Sequence, residues 1–290
     1  MNAFTIKDIE NLTGVKAHTI RIWEQRYNFL KPQRTETNIR YYSNDELKAI
    51  LNITLLNKYG FKISHINKMD LSEINHKLLT ISHKQAQQEL ILNRLISCMI
   101  DLDMDLFEDL LNEQIDIHGL DNVMNEIVFP FLEKIGILWV TNNINPAREH
   151  LVTNIIRQKL LVSIDTMVTN MKSEKTALLF LPEGEYHELG LLYLYYLLKS
   201  RGVKVWYLGA DVPLPDLDFI VKVKKPDYVY THLTAPSHNF NVERFLNDLH
   251  SKIADTPVLV SGALAVNYKK ATPANIHLKR SLQEIKAFLS

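Results

Sequence analysis

The chain is 290 residues long, which gives room for two or three small domains. Its formal net charge is zero and 46% of its residues are hydrophobic, so it is neither a polycation that binds nucleic acid over its whole surface nor a disordered chain. The one cysteine, Cys98, excludes an internal disulfide and a cysteine-based metal cage, which fits a reducing compartment.

The N-terminal stretch MNAFTIKDIENLTG is polar and periodic, so no signal peptide is expected and the expected location is the cytoplasm. Thr5-Ile6-Lys7-Asp8 reads as a capping box ahead of a short helix that Gly14 punctuates. A second helix is predicted over 17–27, then a loop or hairpin through Lys31–Asn38. A third helix follows, capped by Ser43 and ended by Gly60, and a short fourth starts near Ser64. These elements define a first domain, 1–75.

Residues 76–172 hold few Gly or Pro and carry four apolar stripes at helical spacing. The stripes are Leu92/Leu95/Ile96/Met99, Phe107/Leu110/Leu111/Ile115, Val123/Ile127/Phe131/Ile135 and Leu151/Ile155/Leu160/Leu161. Pro130 predicts a kink in the third. Four amphipathic helices with short joins predict a four-helix bundle.

From 173 to 290 strands and helices alternate. Strands are predicted at 176–181, 203–208, 227–230 and 258–260, and helices at 189–200, 215–224, 242–253 and 281–289. That order predicts a doubly wound parallel sheet whose ligand loops follow Leu181, Leu208, Tyr230 and Val260. The longest apolar stretch, Leu189 to Leu198, holds three tyrosines and is too short to cross a bilayer, so no membrane partner is expected. The fold class is therefore multidomain: helix-turn-helix, bundle, and a Rossmann-like doubly wound sheet.

Charge is concentrated in one place. Between Lys16 and Arg40 stand six cations (Lys16, Arg21, Arg26, Lys31, Arg34, Arg40) and two carboxylates (Glu24, Glu36), a local +4 in a neutral chain. Phosphate binding needs such a concentration. Two short helices joined through Gly14 form a helix-turn-helix pattern, with His18, Thr19 and Arg21 near the start of the second, where base edges are reached. Charge and spacing alone fit a solvated basic face equally well.

The run Thr19-Ile20-Arg21-Ile22-Trp23-Glu24-Gln25-Arg26-Tyr27, then Pro32-Gln33-Arg34-Thr35, then Asn38-Ile39-Arg40-Tyr41-Tyr42-Ser43 resembles the MerR-family winged helix-turn-helix, over about the first seventy residues. The resemblance implies that Thr19 and Arg21 lie on the recognition helix and Arg34 and Arg40 on the wing. Arg40 is then a phosphate contact, and Tyr41 packs or touches the DNA backbone. With Lys16, His18, Arg26 and Tyr27 these make up the expected DNA-binding set, and double-stranded operator DNA is the expected partner. Asn38 stands where the family usually has Gly, and Asn tolerates left-handed backbone.

After the first strand of the third domain comes Glu185-Tyr186-His187-Glu188-Leu189-Gly190. A His on a ligand-facing loop can coordinate a metal, and Glu185 can orient its ring. Taken alone, His187 reads equally as a surface histidine. The loop resembles the Asp-x-His-x-x-Gly signature of cobalamin-binding α/β domains, with Glu for Asp. In that family the His replaces the cofactor's own base on cobalt, and the displaced nucleotide tail runs into the domain. Thr231-His232-Leu233 resembles the Ser-x-Leu loop near the tail, and Ser261-Gly262 the Gly-Gly turn. By the resemblance, His187 is the cobalt ligand. Glu185, Gly190, Thr231, Leu233, Ser261 and Gly262 surround the cofactor, with His232, His238 and Asp211 further candidates near its tail.

Trp139, nine residues, then Glu149-His150 resembles the motif of CarH/LitR-type cobalamin photoreceptors, in which these groups sit over the upper face and accommodate a 5′-deoxyadenosyl group. Read from the residues alone, Trp139 fits ordinary core packing and Glu149 a helix N-terminal acid after Pro146. Where that family has a His after the Trp, this chain has Val140. The resemblance implies a non-enzymatic, cobalamin-dependent regulator, a repressor in expectation, with adenosylcobalamin ahead of methylcobalamin as cofactor. Its output would run through a homo-oligomer, dimer or tetramer, and through light where the adenosyl form is bound. The rival readings are a corrinoid methyl carrier, which needs no basic reading head, and a MerR-type regulator that has lost cobalamin and answers to another ligand or partner.

Overall fold

The computed structural model describes residues 4–140, 145–236 and 239–289, and for 137–140 and 289 the backbone alone. It divides into two compact units, 1–155 and 156–290.

The first unit opens with α1 (Ile6–Thr13) and α2 (Ala17–Arg26). The Thr5–Asp8 capping box is formed in both directions, and Gly14 ends α1 in left-handed backbone. The hairpin β1 (Gln33–Arg34) and β2 (Arg40–Tyr41) pairs Arg34 with Arg40, and Asn38 turns it with φ +63°. The expected loop is thus a two-stranded wing, and Asn supplies the conformation a Gly would. α3 (Asn44–Lys58) starts on the Ser43–Glu46 capping box; α4 (Ile63–Ile66) and α5 (Leu71–Thr80) follow. The expected boundary at 75 falls inside α5, a helix whose Asp70–Glu73 capping box the sequence reading did not use. Trp23, Ile53, Leu56, Ile66, Ile74, Leu78 and Leu90 form one core, so the reading head and the start of the bundle are buried against each other.

The bundle helices are α6 (Lys84–Asp101), α7 (Met104–His118), the short α8 (Leu120–Val123), α9 (Phe129–Val140) and α10 (Pro146–Thr166). A π-helical turn, Met124–Val128, joins α8 to α9. The expected irregularity at Pro130 is therefore a π-turn directly before it, where a proline without N–H leaves the ladder to shift. The first three stripes are buried apart from the half-buried Ile115, but the fourth is corrected. Val152, Ile156, Leu160 and Ile164 are buried, whereas Leu151 and Leu161 are exposed. Adjacent apolar pairs at 151/152, 155/156 and 160/161 leave the register of that helix open to sequence reading, and packing selects one row.

The second unit carries β3 (Thr176–Pro182), α11 (Leu189–Ser200), β4 (Lys204–Val212), α12 (Leu214–Lys224), β5 (Tyr228–His232), α13 (Val242–Lys252), β6 (Val258–Ser261), α14 (Ala263–Asn267), β7 (Ile276–Leu278) and α15 (Leu282–Leu289). The strands form one parallel sheet in the order β4-β3-β5-β6-β7. β7 and α14 were not predicted: one is three residues long, the other five. β4 runs four residues past the expected end at Leu208, because pairing with Phe180 and Pro182 draws Gly209 to Val212 into the sheet despite poor strand formers there. Alternation sends Leu179, Tyr230 and Leu259 to the α11 face, and Leu178, Phe180, Val229 and Val260 to the face covered by α12 and α13. The order reverses at β3, so the crevice lies beyond the C-terminal ends of β3 and β5.

Candidate functional site

The loop after β3 and the loop after β5 meet at that crevice through one carboxylate. Glu185 is wholly buried. Its Oε1 accepts from the His187 backbone N–H at 3.0 Å and lies 2.6 Å from His187 Nδ1; its Oε2 accepts from the amides of Thr234 and Ala235 at 2.8 and 2.9 Å. Burial pushes the Glu185 carboxyl up, but the hydrogen bonds from the His187 ring and amide and from Thr234 outweigh it and hold the group below the usual glutamate value. An ionised carboxylate on Nδ1 fixes the tautomer: the ring proton sits on Nδ1, and Nε2 carries the basic lone pair. The His187 side chain is 53% exposed, so its ring stands at the mouth of the crevice.

Gly190, in the first turn of α11, is required by a neighbour within the chain. A Cβ there would lie 2.5 Å from His232 Nε2. His232, at the end of β5, is half-buried, and its Nδ1 lies 2.7 Å from Ser261 Oγ, which accepts from Tyr230 OH at 2.5 Å. Burial pushes the His232 imidazole down to about 4; the nearby His187 adds to this, and Glu185 opposes it. Gly262 adopts φ +96°, and a Cβ on it would stand 2.3 Å from the Leu233 carbonyl oxygen. Leu233 N–H in turn donates to the Ser261 carbonyl at 2.8 Å. Glu185, His187, Gly190, Leu233, Ser261 and Gly262 are thus joined around one crevice. Thr231 is different. It pairs with Phe180 and Val260, so its side chain lies towards the other layer, where its buried hydroxyl has no hydrogen-bond partner.

One further group carries no sequence signal because its partners are remote in the chain. Glu188 Oε2 accepts from Arg157 Nη2 at 2.5 Å and its Oε1 from Tyr207 OH at 3.0 Å, fastening α10 and β4 to the residue beside His187. Asp211, at the end of β4, accepts from the Gly184 amide in the loop after β3 at 2.9 Å. His238 lies outside the described residues, as does the side chain of Trp139, whose backbone belongs to α9. Glu149 and His150 stand in the first turn of α10, with Oε2 and Nδ1 3.6 Å apart, and His150 is exposed. Among the described residues no group of three or more His, Cys, Asp or Glu could hold a metal ion.

In the first unit, Lys16, His18, Arg21, Arg26 and Arg34 are exposed and Thr19 half-exposed, all on α2, at its start or on the wing. Lys16 is 3.2 Å from Glu10, and Arg34 donates to Asn38 at 2.6 Å. Tyr27 stacks on Phe29 at 5.7 Å between ring centroids, so part of its ring serves the core. Tyr41 OH donates to Gln33 across the hairpin. Arg40 is partly buried, and its Nε donates to Glu24 Oε2 at 2.9 Å; Tyr42 OH donates to the other Glu24 oxygen. Burial and the Glu24 carboxylate push the Tyr42 phenol well above its usual value. Glu24 therefore ties the recognition helix to both residues at the root of the wing.

Fold and sites together define a winged helix-turn-helix regulator joined to a helical bundle and a cobalamin-type α/β unit. Residues 4–72 match the model described as MerR HTH family regulatory protein, and residues 91–162 match the B12 binding domain. The chain is 30% identical over 271 residues to the HTH-type transcriptional repressor CarA of Myxococcus xanthus, covering 92% of this chain and 88% of that protein. It is 28% identical over 273 residues to the repressor CarH of the same organism, covering 92% and 91%. The chain belongs to the MerR family of DNA-binding transcription regulators, in the group that carries a B12-binding part beyond the reading head. The monomethylamine corrinoid protein of Methanosarcina barkeri superposes on 70% of this chain and 98% of its own with a TM-score of 0.52 at 14% identity, which places the fold. No helix among the described residues is long and apolar enough to cross a membrane.

Glu24→Ala is expected to lower affinity for the operator about ten-fold, since it frees Arg40 and the wing from a charge-assisted hydrogen bond worth roughly 1.5–3 kcal/mol. Arg34→Ala should instead reduce the salt dependence of binding by about one phosphate. Fluorescence anisotropy at several salt concentrations separates the two. An unchanged Glu24→Ala affinity would mean that Arg40 needs no such anchor.

Proposed function

We propose that this chain is a cobalamin-dependent repressor, with adenosylcobalamin preferred over methylcobalamin. It acts as a homo-oligomer whose paired reading heads grip a two-part operator. The observation that carries this is the Glu185–His187 pair: a buried, ionised carboxylate at the switch point holds Nδ1 of a half-exposed imidazole and leaves Nε2 the ligating atom. The donor set fits a corrinoid, which needs one axial nitrogen from the protein and brings its other ligands with it. When bound, the corrinoid would supply cobalt chemistry that responds to light or to ligand exchange, with His187 the residue that would hold it.

The chain's own residues do the rest. Glu185 keeps His187 in one tautomer and one orientation. Gly190 and Gly262 let α11 and the Leu233 loop close on the crevice. Glu188 ties the ligating loop to Arg157 of α10. Trp139, Glu149 and His150 are the proposed upper-face group. With Val140 after Trp139, no imidazole stands next to the Trp in the chain. Regulation requires that the ligand favour one state of the reading heads over another, which commonly shifts affinity by about 5- to 150-fold.

The test mixes protein with adenosylcobalamin in the dark, desalts it, records absorbance, then illuminates it and measures operator affinity at each stage. Co-eluting corrinoid that His187→Ala loses or binds with an altered spectrum supports the reading. A light-driven spectral change that the free cofactor does not share would add photoreception. Equal oligomeric state and operator affinity with and without corrinoid would sink it.

A further inference from the structure

The first unit holds a cavity that the reading head and the bundle build together. Its volume is about 550 Å³, within the range of about 300–1,000 Å³ that small-molecule sites occupy. Helix α6 gives it Leu90, Arg94, Ser97, Cys98 and Asp101, at a spacing that keeps residues on one helix face. The floor is apolar: Leu90 and Cys98 are buried there beside Leu78 of α5. The rims carry Leu79 of α5 and Leu106 of α7, 69% and 42% exposed. Leucines standing in water on two sides of one trough mark a surface for an apolar group. The acceptors of the cavity are already used. Asp101 Oδ2 holds Lys48 Nζ at 2.9 Å. Asp103 Oδ1 accepts from the Leu106 amide at 3.1 Å, at the start of α7, where the helix dipole offsets its charge. The Ser97 hydroxyl donates to the Asn93 carbonyl at 2.9 Å. The donors are not used. Among the described residues, the side chains of Asn52, Asn75 and Arg94 make no hydrogen bond or ion pair within the chain. A guanidinium and two amides around an apolar floor fit a ligand with an anionic, acceptor-rich head and an apolar tail.

We propose that this cavity binds a small amphipathic carboxylate. Its carboxylate lies on Arg94, with Asn52 and Asn75 as further donors, and its acyl chain lies along Leu78, Leu79, Leu90 and Leu106. The site is built wholly from the first unit and does not rest on the cobalamin reading. Its walls come from both parts of that unit: Asn52 belongs to α3 of the reading head and Leu106 to the bundle. Leu78 and Leu90 also belong to the core that holds Trp23 of α2, so an occupant bears on the packing behind the recognition helix.

The experiment titrates the full chain calorimetrically with octanoate and with octanamide, which has the same tail and no charge. The wild type is expected to bind one octanoate per chain, about ten-fold more tightly than octanamide, the size of one charge-assisted hydrogen bond. Arg94→Gln should weaken octanoate about ten-fold and leave octanamide within about two-fold. Leu79→Ser, on the rim, should weaken both ligands alike, because it removes apolar surface that the two tails share. Both side chains are exposed, and thermal melts establish that the variants are folded. As a second readout, amide resonances of Asn75 to Leu79 and of Arg94 to Asp101 should shift on adding octanoate. Absence of saturable octanoate binding would overturn the site. So would several octanoates per chain whose binding Arg94→Gln leaves unchanged, which is adsorption on exposed leucines. Equal losses of octanoate and octanamide in Arg94→Gln would overturn the role of the guanidinium, and an unaffected Leu79→Ser the course of the tail.

Discussion

Glu185→Ala is expected to destabilise the α/β unit by about 3–5 kcal/mol and to weaken corrinoid retention by roughly 10- to 100-fold. The side chain is wholly buried and accepts from three amides and one imidazole. Alanine leaves the Thr234 and Ala235 N–H groups without an acceptor where the two ligand loops meet, and it releases the His187 ring from its fixed tautomer. Urea unfolding of the isolated chain reads the first effect, and absorbance after desalting reads the second.

Stability is expected to fall with pH on the acid side of neutrality. The native Glu185 carboxyl is held below its reference value of 4.5, so its contribution is present above that pH and is lost as the pH falls below it. His232 acts over a higher interval. The unfolded ring takes up a proton near 6.5, whereas the native ring resists until about 4, so stability declines as the pH drops across that interval. Wild-type urea midpoints should therefore fall steadily between about pH 7 and 4. His232→Gln, which cannot titrate, should flatten the upper part of the decline, and Glu185→Ala the lowest part. A midpoint insensitive to pH across this range in the wild type would contradict both assignments.

Gly262→Ala is expected to cost about 2–4 kcal/mol. The residue has φ +96°, where an L side chain is strained. The added Cβ would meet the carbonyl oxygen of Leu233 at 2.3 Å and its amide nitrogen at 2.8 Å. These are backbone atoms, fixed by the Leu233–Ser261 and Leu264–Leu233 hydrogen bonds, so relief requires moving the loop itself. Ser261, which replaces the first glycine of the usual pair, raises no such conflict: its side chain hydrogen-bonds to Tyr230 and His232. A Gly262→Ala protein with a wild-type melting temperature would show that the loop shifts freely.

Features that depend on local chemistry are legible in the order of residues alone. The Thr5–Asp8 and Ser43–Glu46 capping boxes place the starts of two helices, since a hydroxyl and a carboxylate three residues apart satisfy each other's backbone donors wherever they occur. Runs such as Thr176–Leu181 state a strand buried on both faces, and the strand-helix alternation states a parallel sheet. Asn38 was legible as a left-handed turn residue, and Glu185 with His187, only two positions apart, as an oriented imidazole.

Pairs distant in the chain, and elements that pairing creates, emerge only on folding. The buried row of α10 is one of two rows that its adjacent apolar pairs allow. β7 is short, and it exists because Val258 and its neighbours offer an edge to pair with. Gly209 to Val212 are strand by partnership with β3, against their propensity. Arg40 reads as a free cation until the fold brings Glu24, sixteen residues earlier, to its Nε. Strand alternation turns the Thr231 side chain to the layer of Phe180 and Val260, which its sequence neighbours alone do not reveal. The same alternation, with the registration of β5 on β6, sets His232 between Ser261 and Gly190. Periodicity and spacing encode what a residue does with its near neighbours; who stands across a sheet is fixed only when the strands have chosen their order.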